Sequence, residues 1–263
     1  MASLDPVLDK DGVRLTVDDA LATVTLTRPA KRNAQSPALW RALTEAGRLL
    51  PGSVRVVVLR AEGKSFSAGL DRQAFTPEGF DGEPSFVDLA RGSDAELDAT
   101  IAEYQEAFTW WRRSDIVSVA AVQGHAIGAG FQLALACDLR VVADDVQFAM
   151  RETGLGLVPD LTGTHPLVGL VGYARALEIC VTGRFVQADE AVRSGLANVA
   201  VPAAELDGAV RDLTAALLAA PRDAVIETKA LLRGAGQRAY DDQRVAERAA
   251  QARRLRDLAG LGE

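Results

Sequence analysis

The chain has 263 residues, 48% of them hydrophobic, enough to bury a substantial core as one domain with an appendage or as two compact domains. A net charge of −7 and a pI near 5.0 supply no long-range attraction to phosphate backbones or anionic lipid, so nucleic acids and membrane surfaces are not expected partners. Cys137 and Cys180 are too few to staple a chain of this size; they point to a reducing compartment and read as small buried hydrophobes. The segment from Met1 to Asp11 carries three aspartates and no apolar run, and no stretch approaches the roughly 20 apolar residues of a membrane span, so the cytoplasm is the expected location.

Alternating and β-branched residues predict strands at Val13–Val17, Ala22–Thr27 and Val54–Arg60, with an amphipathic helix from about Pro37 to Leu50 between the last two. Gly63–Gly69 follows as a loop at a strand's carboxyl end, where ligands gather in open α/β sheets. From Gln73 to Ser93 periodicity is lost, which predicts a mobile surface segment or the lip of a pocket. A helix resumes at about Asp94 to Arg113, with the adjacent Trp110 and Trp111 pointing apart, one into the core and the other toward a pocket. A strand at Val117–Gln123 runs into Gly124-His-Ala-Ile-Gly-Ala-Gly130, then a helix over Phe131–Cys137 and short strands at Leu139–Ala143 and Gln147–Ala149. Beyond Thr164 the pattern is helical, over Pro166–Thr182, Asp189–Gly195, Glu205–Ala220, Arg222–Gly234 and Asp241–Leu258. Asp189 and Asp241 are placed as N-caps, and a break near Val201–Pro202 divides a core over 1–200 from a helical region over 201–263.

Two glycine loops carry the chemical signal, Lys64-Ser-Phe-Ser-Ala-Gly-Leu-Asp71 and Gly124–Gly130. Each follows an apolar strand and lets a ligand approach the backbone closely. Gly128 and Gly130 flank Ala129 where a helix begins, so the N–H of Ala129 is a first-turn donor at the positive end of the helix dipole, suited to a developing oxyanion. The spacing G-x-x-x-G-x-G does not match the dinucleotide fingerprint, and there is no phosphate-loop motif.

Both loops, Thr27-Arg-Pro-Ala-Lys-Arg-Asn-Ala34 and the run from Val119 to Gly169 resemble the crotonase, or enoyl-CoA hydratase/isomerase, family over essentially the whole chain. The resemblance implies an α/β fold, a spiral of β-β-α units with a C-terminal helical trimerisation region, and a homotrimer or hexamer. It implies that the N–H groups of Leu70 and Ala129 form an oxyanion hole for an acyl-CoA thioester. Asp71 would hold the first loop's turn, while Lys31, Arg32, Ala34 and Ala68 would line the coenzyme A moiety. No metal and no cofactor beyond coenzyme A itself are implied, and the two histidines supply no ligand set.

The proton-carrying positions depart from the family's hydratases, which have glutamates at the places of Gln132 and Glu152; this chain keeps only Glu152. A glutamine cannot accept and return a proton near neutral pH. The family's Δ3 to Δ2 isomerases resemble this arrangement in working with one glutamate, so double-bond isomerisation with Glu152 as shuttle is the leading expectation. Asp160 stands where dienoyl-CoA isomerases and a dehalogenase of the family carry a functional aspartate, and is a candidate second acid or base, a nucleophile or a turn residue. Hydration by Glu152 with Asp160 or a Gln132-held water, and acyl-CoA binding without catalysis, are the alternatives. His125 reads as packing and His165 as a residue near the pocket. A serine hydrolase is disfavoured because there is no G-x-S-x-G elbow and neither Ser65 nor Ser67 has a recognisable histidine partner.

Overall fold

The computed structural model describes residues 5–80, 82–83 and 85–262. The main sheet holds, side by side, β1 (Leu8–Lys10), β2 (Val13–Asp18), β3 (Leu21–Leu26), β4 (Val56–Ala61), β5 (Val117–Val122), β7 (Leu139–Ala143) and β10 (Val199–Val201). A second sheet joins β6 (His125–Ile127), β8 (Gln147–Ala149) and β9 (Val186–Gln187). The first three strands are antiparallel because two-residue turns connect them, Asp11-Gly12 with both residues at positive φ and Asp19-Ala20 with Asp19 at positive φ. From β3 onward neighbours in the main sheet are parallel.

The central parallel strands β4, β5 and β7 are buried on both faces. Val57 and Leu59 of β4 face the principal core, while Val56 and Val58 meet Leu206 and Val210 of α8 (Leu206–Ala219). The other helices are α1 (Pro37–Arg48), α2 (Phe86–Ala90), α3 (Asp94–Thr109), α4 (Ala129–Ala136), α5 (Thr164–Val171), α6 (Tyr173–Thr182), α7 (Ala188–Arg193), α9 (Arg222–Ala235) and α10 (Tyr240–Leu258). In α1 the Ser36 hydroxyl accepts from Leu39 N, Pro37 occupies the first turn, and Leu39, Trp40, Leu43 and Ala46 form the buried stripe. That stripe brings α1 against α3.

A main-sheet strand, a second-sheet strand and a helix recur as β5–β6–α4 and β7–β8–α5, the repeating β-β-α unit that the resemblance implies. In the preceding turn of the spiral the second-sheet element is reduced to single bridges, Ser67 with Ala126 and Gln35 with Leu70. Lys229 anchors α9 to this core, its ammonium donating to Arg113 O, Ile116 O and Asp138 Oδ2 at 2.6–2.8 Å.

Several expectations are corrected. The helix predicted over Pro166–Thr182 is two, α5 and α6, because Gly172 sits at φ +77°, ψ 160°, a conformation open to glycine and costly for other residues. Asp189 and Asp241 do not cap: the caps are Gln187 and Ala239, and the aspartates lie within the first turns, still favourable toward the helix dipole. Strand β10 ends at Val201, at the predicted break, and pairs with β7. His125–Ile127, read as loop, is strand β6. The unpatterned stretch 73–93 includes α2, whose Ser85 and Asp88 form a capping box.

Candidate active site

The two glycine loops are zipped together by backbone bonds: Phe66 N to Gln123 O, Ser67 N to His125 O and Ile127 N to Ser67 O, at 2.9–3.0 Å. The basic turn locks onto them. Arg32 and Asn33 adopt left-handed φ, and the Asn33 amide donates to Glu62 O and Ser65 O at 2.9 Å while accepting from Arg28 N. Gln35 N donates to Gly69 O and Asp71 N donates to Gln35 O, both at 2.8 Å. These bonds hold both sides of Leu70 and leave its own N–H directed the other way, with no acceptor among the described residues. Ala129 opens α4, and its N–H likewise has no acceptor among the described residues.

Glycine permits the close approach of the two donors. A Cβ on Gly69, at φ +86°, would stand 2.5 Å from Ile127 O and 3.7 Å from Ala129 N. A Cβ on Gly128, at φ +51°, would reach 3.2 Å from Glu152 Oε1. Backbone donors and carboxylate are thus packed with no spare layer between them.

Leu70, Ala129, Glu152 and Asp160 line one cavity of about 1070 Å³, with Ala68 on its wall. Gln132 is almost fully buried and does not line it. Its Oε1 accepts from Leu161 N at 2.9 Å and Gly163 N at 3.2 Å, and its Nε2 donates to Glu152 Oε1 at 2.7 Å. Since both backbone groups can only donate, the amide orientation is decided: the NH2 end faces Glu152. Glu152 Oε2 is buried without a hydrogen-bond partner. Burial pushes the Glu152 carboxyl above its ordinary value of 4.5, against the opposing hydrogen bond from Gln132, and the charge of Asp160 adds to the rise. Burial raises Asp160 as well, while its backbone carbonyl accepts from Gln105 Nε2 of α3 at 2.6 Å.

The residues implied for coenzyme A are divided. Ala68 lies on the cavity, whereas Lys31 and Arg32 are exposed and Ala34 half-buried, all outside its lining. Asp71 accepts from Gln73 N, capping the following turn, and pairs with Arg28 at 3.3 Å and Lys31 at 3.6 Å. His165 is exposed on α5 and away from the cavity lining.

Two expectations fail here. Ser65 does have a histidine neighbour, its Oγ 3.2 Å from His125 Nδ1, because the parallel zipper sets the loops side by side; neither residue lines the cavity. Trp110 and Trp111 do not diverge: the helix tightens into a 3-10 turn at Trp110 and the indoles stack at 3.9 Å, so that Trp111 is in the core as expected of one of the pair, but neither reaches the cavity. The aromatic wall is instead Trp40 and Tyr104, 4.8 Å apart, together with Phe75 and Phe86. Phe75 and Phe86 lie in the 73–93 stretch expected as the lip of a pocket, whereas Trp40 and Tyr104, inside predicted helices, were not expected at the cavity.

The family model described as Enoyl-CoA hydratase/isomerase matches residues 16–258. A Thermobifida fusca YX protein provisionally named an enoyl-CoA hydratase, solved in complex with CoA, is 51% identical and covers 95% of each chain, with a TM-score of 0.90. The human mitochondrial Delta(3,5)-Delta(2,4)-dienoyl-CoA isomerase is 35% identical over 186 residues, 70% of this chain and 56% of its own length. An Arabidopsis thaliana mitochondrial protein provisionally named enoyl-CoA hydratase 2 is 31% identical over 194 residues, 72% of this chain and 59% of its own. The matched stretch therefore spans less than two thirds of either of these two relatives. With a match extending over nearly its whole length, the chain belongs to the enoyl-CoA hydratase/isomerase family.

Proposed function

We propose that the chain isomerises the double bond of an enoyl-CoA thioester, with Glu152 as proton shuttle and the N–H groups of Leu70 and Ala129 as the oxyanion hole. The observation that carries this reading is the setting of Glu152: one oxygen is tied by the neutral Gln132, and the other is buried without a partner in the residue that lines the cavity. Glu152 takes the proton from C2 of a 3-enoyl thioester, and the C–H electrons move into an extended enolate whose oxygen accepts from both backbone donors. The carboxylic acid so formed returns the proton at C4, the double bond settles between C2 and C3, and the carbonyl re-forms. A single carboxyl serves both transfers, and one whose pKa is raised by burial is better matched to giving the proton back. Each backbone donor in a hole of this kind is worth on the order of 3 kcal/mol in the transition state.

In the same reading Lys31, Arg32, Ala34, Ala68 and Asp71 border the coenzyme A portion, and no other cofactor takes part. The core over 1–200 carries the chemistry, and the helical region over 201–263 assembles a homotrimer or hexamer in the cytoplasm. Among the described residues no helix is long and apolar enough to cross a membrane. Asp160 favours a second reading, hydration or a longer proton shift with two carboxyls, because it lines the same cavity and is also raised by burial.

Incubation with 3-enoyl-, 2-enoyl- and dienoyl-CoA tests the assignment. The expected result is conversion of 3-enoyl to 2-enoyl thioester, lowered by about 10²–10⁴-fold in Glu152→Gln, the usual range for loss of a general base. Hydration outpacing isomerisation would transfer the assignment to the two-carboxyl reading, and binding without turnover of any thioester would remove catalysis.

A further inference from the structure

The cavity continues beyond the reacting groups along a wall made of helical faces. Leu97, Ile101 and Tyr104 of α3 recur at spacings of four and three, so they share one face, and Phe86 and Leu89 of α2 repeat the pattern. Apolar faces of this kind ordinarily pack into a core. Here they border the open cavity that also contains Leu70 and Ala129, and Leu97 and Ile101 stay only half-buried. Among the described residues no charged side chain of α2 or α3 lines the cavity; the polar side chains there are Thr100 and Tyr104. The two arginines of the lining come from outside these helices, Arg72 from the 3-10 turn Arg72–Phe75, whose Phe75 ring meets Phe86 of α2 at 5.2 Å, and Arg151 from the position directly before Glu152. Arg151 is held over the Phe185 ring at 4.9 Å.

We infer that the acyl group is a medium-length to long apolar chain lying along the α2–α3 wall, and that Leu97 and Ile101 determine how long a chain is accepted. An acyl group of two to four carbons would leave that wall facing water. One ending in a carboxylate would place a charge against the Leu97 and Ile101 face of α3, which itself offers no cation. The inference rests on the enoyl-CoA reading for the position of the thioester, since the oxyanion donors decide which end of the cavity the acyl chain enters.

Binding of saturated acyl-CoAs, measured by calorimetry on the full chain, tests it separately from turnover. Each buried methylene contributes about fourfold in affinity at most, so octanoyl-CoA should bind at least about tenfold more tightly than butyryl-CoA. Adipoyl-CoA should bind more weakly than hexanoyl-CoA. Leu97→Trp and Ile101→Trp should lower octanoyl-CoA affinity about tenfold while leaving butyryl-CoA within about twofold. Leu97→Phe and Ile101→Phe serve if circular dichroism shows that the tryptophan variants do not fold. A flat chain-length series, equal binding of adipoyl- and hexanoyl-CoA, or a uniform loss across all lengths in the folded variants would overturn the inference. A steep series without turnover of any enoyl-CoA would leave it standing while removing the isomerase assignment. Turnover with a flat series would do the reverse.

Discussion

Gln132→Glu is the substitution that interrogates the site most directly. The side chains are isosteric, so one oxygen of the new carboxyl still accepts from Leu161 N and Gly163 N, while the donor facing Glu152 becomes a second oxygen 2.7 Å from Oε1. Two full charges at that separation repel by about 6 kcal/mol at an effective dielectric of about 20, equivalent to roughly four pKa units. The pair relaxes by holding one proton between them, so the dyad should titrate in two macroscopic steps separated by about two units or more. In the wild-type enzyme kcat/KM for a 3-enoyl-CoA should rise with pH through the single ionisation of Glu152 and then level. The variant's profile should be bell-shaped, falling again when the shared proton is lost, and hydration of 2-enoyl-CoA should appear on the plateau between the two steps. A profile that superimposes on that of the wild type would show that Gln132 does not hold Glu152 in solution, and the shuttle geometry would have to be abandoned.

Three further outcomes follow from the same contacts. Because burial raises the Glu152 pKa, the folded state binds its proton more tightly than the unfolded chain, so this group's contribution falls as pH rises from about 4.5 through the raised value. Glu152→Gln should therefore raise the melting temperature at pH 8 and lose that advantage at pH 4; thermal denaturation at the two values checks the sign, and a gain that grows on acidification would contradict it. Gly69→Ala places a methyl group 2.5 Å from Ile127 O at φ +86°, which should cost more than about 1 kcal/mol of stability and lower kcat more than it raises KM, because the displaced loop carries Leu70. Urea denaturation with steady-state kinetics measures both, and unaltered turnover would separate that loop from the chemistry. Lys229→Met removes the ammonium that joins α9 to Arg113 O, Ile116 O and Asp138, and should cost about 3–5 kcal/mol, the usual loss on breaking a buried pair. Hydrogen exchange should locate the loosening in α9 and α10, and protection unchanged there would refute the anchoring role.

What the sequence by itself determined was local. Strand periodicity located five of the seven main-sheet strands, missing the three-residue edge strands β1 and β10. The glycine spacings marked where backbone donors are exposed, because positive φ and the absence of Cβ are properties of single residues. Leu70, Ala129, Glu152 and Asp160 are legible in the sequence through its motifs, and they share one cavity. Only the tertiary structure decided how those groups are held and what surrounds them. Gln132 reads as a missing acid in the sequence, yet it is a clamp on Glu152, because its orientation is imposed by the N–H groups of Leu161 and Gly163, 29 and 31 residues away. The aromatic wall passed from the adjacent tryptophans to Trp40 and Tyr104 for a similar reason. Which side of a helix meets a cavity depends on how α1 and α3 pack, and a 3-10 turn at Trp110 removed the geometry on which the sequence expectation stood. Backbone conformation is written residue by residue, whereas the setting of a buried carboxyl is a property of elements brought together from across the chain.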